Sequence, residues 1–152
     1  MTVTPSKQEK YESLIAKMKS AYDDEYYLET SWIAYAILED RLLSALSQSG
    51  GIPKRRHKPI RMLGPKVDEI DKRRKKDKLL NAYFTDDLMS RIKDWKEQRD
   101  SLMHSMADGS ESIESLNKAS CLLAQRAIPL IKLVCAAART LKNNRSRVPI
   151  PG

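Results

Sequence analysis

The chain has 152 residues, enough for one domain with a real core. Leu, Ala, Lys, Arg, Ser and Glu dominate, Gly is scarce and there is a single Phe, a composition that excludes a sheet-built fold and indicates an all-α one. Lys and Arg number 28 against 20 Asp and Glu, a net charge of +8, and no apolar run approaches the roughly 20 residues a membrane span needs. The opening Met1-Thr2-Val3-Thr4-Pro5 lacks a basic-then-apolar leader pattern, so a cytoplasmic location without membrane contact is the expectation.

The first helix is expected from about Pro5 to Asp23. Thr4 suits its N-cap and Pro5 its first position, with Ser6 and Glu9 as an alternative capping box. Tyr11, Leu14, Ile15, Met18 and Tyr22 form one apolar stripe. The second helix is expected over 24–47, with Leu28, Trp32, Tyr35, Leu38, Leu42, Ala45 and Leu46 facing one way and Glu39 at the edge of that stripe. Gly50-Gly51-Ile52-Pro53 ends it, and a loop runs to Gly64-Pro65. A weakly amphipathic third helix follows over 66–82, interrupted by Lys72-Arg73-Arg74-Lys75-Lys76. The fourth starts near Thr85-Asp86 and ends before Gly109, a fitting C′ residue. The fifth, opened by a capping box of Asp108 and Glu111, runs to about Leu141, with Pro129 expected to kink or split it. The expected architecture is therefore an antiparallel bundle of four to five helices over 1–141, with a basic insertion at 50–78 and a mobile tail at 142–152.

Cys121 and Cys135 stand fourteen residues apart in one expected helix, about 20 Å and too far to bridge. Without nearby His they make no metal site, and no cofactor is indicated. They read as small core residues.

The charge is local. Residues 54–78 hold 12 of the 28 basic and 4 of the 20 acidic residues, so the remainder balances at 16 against 16. All of the excess lies in one segment, for which a polyanion is the natural partner. Lys54, Arg55, Arg56, His57, Lys58, Arg61, Lys72, Arg73, Arg74, Lys75 and Lys76 are the candidate nucleic-acid contacts. A solvated linker that keeps the chain soluble is the plain alternative.

The candidate catalytic stretch is Gln98-Arg99-Asp100-Ser101-Leu102-Met103-His104. His104 is one of two histidines. On a helix, positions 100 and 104 are neighbours, while 99 and 104 diverge by roughly 140°. Asp100 is thus placed to accept a hydrogen bond from His104, and both a carboxylate and a helix C-terminus favour imidazolium. Arg presents a fork of donors to phosphate, and His moves protons near neutral pH. Read blandly, the three are polar residues on a solvated helix end. Glu39 is expected to meet a basic partner or to support this site.

A polar Arg-Asp-x-x-x-His near a helix end of an antiparallel helical bundle resembles the HEPN superfamily, as does Tyr35-Ala36-Ile37-Leu38-Glu39-Asp40-Arg41-Leu42 on the second helix. The family's residue after the Arg is commonly Asn; here it is Asp100. The resemblance implies metal-independent endoribonuclease activity, with His104 as general acid or base, Arg99 stabilising charge on the transition state and Asp100 orienting His104. It also implies a homodimer with two motifs across one composite cleft. Many members act as toxins or in antiviral defence, which would add an antitoxin or regulatory protein as a partner. Two other readings remain: a non-catalytic HEPN-like nucleic-acid-binding module, and a helical protein-interaction module.

Overall fold

The computed structural model describes residues 6–55 and 57–151, without the side chain of Arg55. The expected roles of Thr4, Pro5 and Arg56, and of the Arg55 side chain, lie outside the described residues. The fold is all-α. Six helices are described: α1 (Lys7–Asp23), α2 (Tyr27–Ser47), α3 (Leu63–Arg74), α4 (Lys78–Tyr83), α5 (Asp86–Asp108) and α6 (Ile113–Arg145). The one extended pairing described is a minimal antiparallel ladder of β1 (Lys54–Arg55) on β2 (Lys58–Pro59), where a plain loop was expected.

Ser6 and Glu9 close the capping box that starts α1. Helix α2 begins three residues later than the sequence indicates. Glu25 sits at φ +64, and the Tyr26 amide donates back to Ala21, so residues 24–26 close α1 instead of opening α2. Gly50 and Gly51 take φ of +124 and +93 beyond the end of α2, where a side chain would be strained.

The expected single helix over 66–82 is two helices. Helix α3 starts earlier, at Leu63, and takes Gly64 and Pro65 into its first turn, where a missing amide donor costs nothing. Leu63, Val67 and Ile70 bury one stripe of it. The chain then breaks at Asp77, whose carboxylate caps α4 by accepting from the Leu80 amide at 3.2 Å. Thr85 caps α5. Ser112, not the pair Asp108 and Glu111, caps α6. Glu111 instead accepts from the Ser115 hydroxyl.

Helix α6 is longer than expected and stays helical through Pro129 to Arg145, past Leu141. By length and composition alone it is long and apolar enough to cross a membrane, a property that buried core helices share, and 44% of its most apolar stretch is buried inside the protein.

The chain divides into two compact units, one of residues up to Ile37 with Trp95–Pro129, the other of Leu38–Asp94 with residues from Leu130 onward. Helices α2, α5 and α6 contribute residues to both. The first unit buries Met18, Ala34, Ile37, Trp95, Leu102, Leu123, Ala124 and Ala127. The second buries Leu38, Leu42, Leu46, Ile70, Leu80, Phe84, Met89, Ile92, Ile131, Val134 and Leu141.

Inside the second unit, Arg145 donates to Asp77 at 2.6 Å, with side chains only 7% and 6% exposed. Asn144 donates to the Tyr83 hydroxyl at 2.7 Å. Residues 142–145, read from sequence as the start of a loose tail, are therefore tied down. Because Asp77 both caps α4 and neutralises a buried guanidinium, Asp77→Ala is expected to lower unfolding free energy by about 3–5 kcal/mol. Asp77→Asn, which keeps a cap acceptor, should lose less. Urea midpoints read both, and a loss below about 1 kcal/mol for Asp77→Ala would show that the pair is not needed.

Candidate nucleic-acid and phosphate-acting site

The rotation of α5 about its axis decides what its candidate residues can do. Leu88, Met89, Ile92, Trp95 and Leu102 are its buried face. The Trp95 indole N–H donates to the Leu123 main-chain carbonyl of α6 at 3.0 Å. With that face inward, Arg99 and Asp100 come half-buried and His104 comes to the exposed side. Gly109 closes the helix at φ +69, as its position suggested.

Arg99 is held on two sides. Its guanidinium carbon lies 3.9 Å over the Tyr35 ring of α2, a cation–π contact. Its Nη1 donates to Asp100 at 3.3 Å. Asp100 also accepts from Lys96 at 2.8 Å, one helical turn back. That bond outweighs burial and holds the Lys96 ammonium above its usual range. The Asp100 carboxylate is thus engaged by two cations, in place of the expected bond to His104. The acid that feels His104 is Asp108. Its carboxyl is held below the ordinary range first by hydrogen bonds from Ser110 and then by the His104 charge.

The structure therefore joins Arg99 to Asp100 and leaves His104 a turn further on, its ring in solvent and without a hydrogen bond among the described residues. Tyr35 and Lys96 were missed as site residues. The i, i+4 spacing of Lys96 and Asp100 was a usable signal for one. Nothing local points from Tyr35 to a residue 64 positions away. Glu39 takes the structural alternative: it accepts from Lys66 at 3.1 Å, with the Lys66 side chain 6% exposed.

The basic segment, in the second unit, divides into two classes. Arg73 donates to Glu69 at 3.0 Å and to the Leu46 carbonyl at 3.0 Å, closing the C-terminal end of α2. Arg74 donates to Asp71 at 2.7 Å and is also bonded to Asp86. Neither is the open nucleic-acid contact that the sequence suggests. The side chains of Lys54, Lys58, Arg61, Lys72, Lys75 and Lys76 are exposed and make no ion pair or hydrogen bond among the described residues. Lys78, not singled out from sequence, joins them. His57 sits in the β1–β2 turn at φ +65 with its ring exposed.

Arg74 and Lys93 converge on Asp71 at the floor of an open groove of about 660 Å³. Burial pushes the Asp71 carboxyl up, but hydrogen bonds from Lys93 and Arg74 outweigh it and leave it below the ordinary carboxylate range. A depressed folded value means the stabilisation is present above the unfolded value, about 3.9, and is lost as pH falls through the folded one. Urea midpoints at pH 6 and pH 3 are therefore expected to fall further for the wild type than for Asp71→Asn. Equal falls would remove Asp71 from the acid response.

Cys121 and Cys135 are both free and half-buried. Among the described residues no group of three or more His, Cys, Asp or Glu has metal-holding geometry. No family model, no curated protein and no solved structure is similar to this chain, so the likeness to the HEPN superfamily rests on its own residues.

Proposed function

We propose that this protein is a metal-independent endoribonuclease of HEPN type, acting as a homodimer. The observation that carries this reading is the pairing of a restrained guanidinium with an unrestrained imidazole on one helix end. Arg99 is oriented by Tyr35 and Asp100, while the His104 ring is exposed and makes no hydrogen bond among the described residues. A preorganised cation costs no reorganisation when charge develops on a phosphate, and an accessible imidazole is free to move a proton.

In the proposed reaction the RNA 2′-oxygen attacks phosphorus and the bond to the 5′-oxygen breaks. One imidazole takes the 2′-hydroxyl proton and another delivers a proton to the leaving 5′-oxygen. Each chain supplies one such histidine, which is the chemical reason for two copies. Arg99 stabilises the charge on the non-bridging oxygens. The products carry a 2′,3′-cyclic phosphate and a 5′-hydroxyl, and attack of water on the cyclic ester, breaking its bond to the 2′-oxygen, gives the 3′-phosphate. Asp100 acts in this reading on Arg99, not on His104. A toxin or defence role, with an antitoxin or regulatory partner, belongs to the same proposal, as does a cytoplasmic setting.

A second reading has its own observation. Seven exposed cations whose side chains have no ion pair or hydrogen bond among the described residues, Lys54, Lys58, Arg61, Lys72, Lys75, Lys76 and Lys78, suffice for a polyanion-binding module that needs no His104.

Two measurements separate the readings. His104→Ala and Arg99→Ala are each expected to reduce cleavage of mixed RNA by about 10²–10³-fold in EDTA, with unchanged circular dichroism. DNA should resist cleavage. Full activity of His104→Ala, or a strict requirement for added metal, would falsify the nuclease mechanism and leave the binding module. Separately, replacing Lys72, Lys75, Lys76 and Lys78 together by Ala should flatten the dependence of log affinity on log salt by up to about 3 for four lost phosphate contacts on a single strand. The same variant should unfold at nearly the wild-type midpoint, because none of the four side chains is paired among the described residues. An unchanged slope would place the polyanion surface elsewhere.

A further inference from the structure

The first half of α2 is turned against its own composition. Its inward positions are Thr30, Ser31 and Ala34, all at most 2% exposed. Its outward positions include Leu28, 41% exposed, and Trp32, 75% exposed. The Thr30 hydroxyl is satisfied by the Tyr26 carbonyl at 3.0 Å. A helix that only needed a core would point the indole inward and the hydroxyls outward. Small polar residues inside and a large aromatic outside are the informative departure.

Leu28, Trp32 and Tyr35 are spaced i, i+4, i+7 and lie within an arc of about 60° on α2. Trp32 and Tyr35 are therefore surface neighbours, with Cβ atoms about 5–6 Å apart. Tyr35 is the ring that carries Arg99. The one hydrogen bond of the Arg99 guanidinium among the described residues is from Nη1 to Asp100. Its other N–H groups keep their donors for a ligand. One row of α2 thus runs from an exposed indole to a held cation with donors to spare.

A nucleotide matches that row. Its base presents a π-face to an aromatic side chain, and its phosphate takes the fork of an arginine. We propose that Trp32 is a stacking platform for an unpaired RNA base, on the nucleotide whose phosphate Arg99 holds. The proposal rests on the reading of Arg99 and His104 as an RNA-acting site, and it names the substrate as single-stranded. Duplex is disfavoured because its bases are already stacked and offer no free face to the indole. A second copy of the chain on this row is the competing occupant. A protein face there would have to bring its own acceptors or leave the remaining Arg99 donors buried and unmet, whereas a phosphate meets them.

The two tryptophans make the test direct. Trp95 is 3% exposed and hydrogen-bonded, so Trp32 is the indole a ligand can reach. The probes are a single-stranded 2′-O-methyl oligonucleotide, which cannot be cleaved, and an abasic oligonucleotide of the same length. The base-bearing probe is expected to quench Trp32 emission and the abasic probe not to. Trp32→Ala should weaken binding of the base-bearing probe by about 5–100-fold. Its affinity for the abasic probe and its salt slope should stay as in the wild type. Trp32→Tyr should restore most of the affinity, because the π-face is kept. Equal weakening toward both probes, no weakening, or a shift from dimer to monomer in sedimentation with unchanged probe affinity would each overturn the platform. If native RNA is not cleaved while this probe pattern holds, the nuclease reading fails and the platform stands. If native RNA is cleaved and Trp32→Ala has no effect on either probe, the platform alone fails.

Discussion

The hydrogen bond from the Trp95 indole to the Leu123 carbonyl is the constraint on which the candidate site depends. An indole N–H is a donor with one direction, and a buried one must find an acceptor. Meeting that requirement on α6 fixes which side of α5 faces inward. Leu102, seven residues on, continues the buried face. The residues at other phases then have no freedom in where they emerge. Arg99 comes out beside Tyr35, Asp100 beside Lys96, and His104 into solvent. The chemistry proposed for Arg99 and His104 thus begins with an interaction that neither of them makes.

The second unit follows a different logic, in which charges are retained as structural parts. Lys66 is buried against Glu39, Arg73 closes α2, and Arg145 meets the cap residue of α4. Each sets a cation against a carboxylate or carbonyl of the protein, and the Arg145–Asp77 pair is the one buried on both sides. The side chains of the exposed lysines of the same stretch pair with no group among the described residues. A run of like charges is therefore two populations, and their separation is geometric: the inward phase of α3 takes Lys66, while the turn after Arg74 throws Lys75 and Lys76 outward.

Much was legible in the sequence, for stated reasons. The scarcity of β-branched residues and the helical stripes gave the all-α class. Local chemistry with a short reach gave the alternative capping box at Ser6, a helix start near Thr85-Asp86, the stop at Gly50-Gly51 and Gly109 as the C′ residue. Even Lys96 on Asp100 lies within the reach of i, i+4 spacing. Errors arose where two local rules competed. Gly64-Pro65 reads as a loop but fits a helix's first turn, and Asp77 inside a basic run reads as a helix residue but acts as a cap.

What the sequence by itself determined is the list of parts: the helices, a segment carrying all the excess positive charge, and an Arg-Asp-x-x-x-His near a helix end. Only the tertiary structure decided which parts are engaged. Tyr35 under Arg99, Glu39 on Lys66 and Asp77 on Arg145 join residues 64, 27 and 68 positions apart. The outward turn of Trp32 was equally hidden. Its stripe with Leu38 and Leu42 is a proper apolar pattern, yet the buried face in that half of α2 is Thr30, Ser31 and Ala34. Periodicity shows that a face exists, but the neighbours packed against the helix select which face is covered, and they are specified by distant segments of the chain.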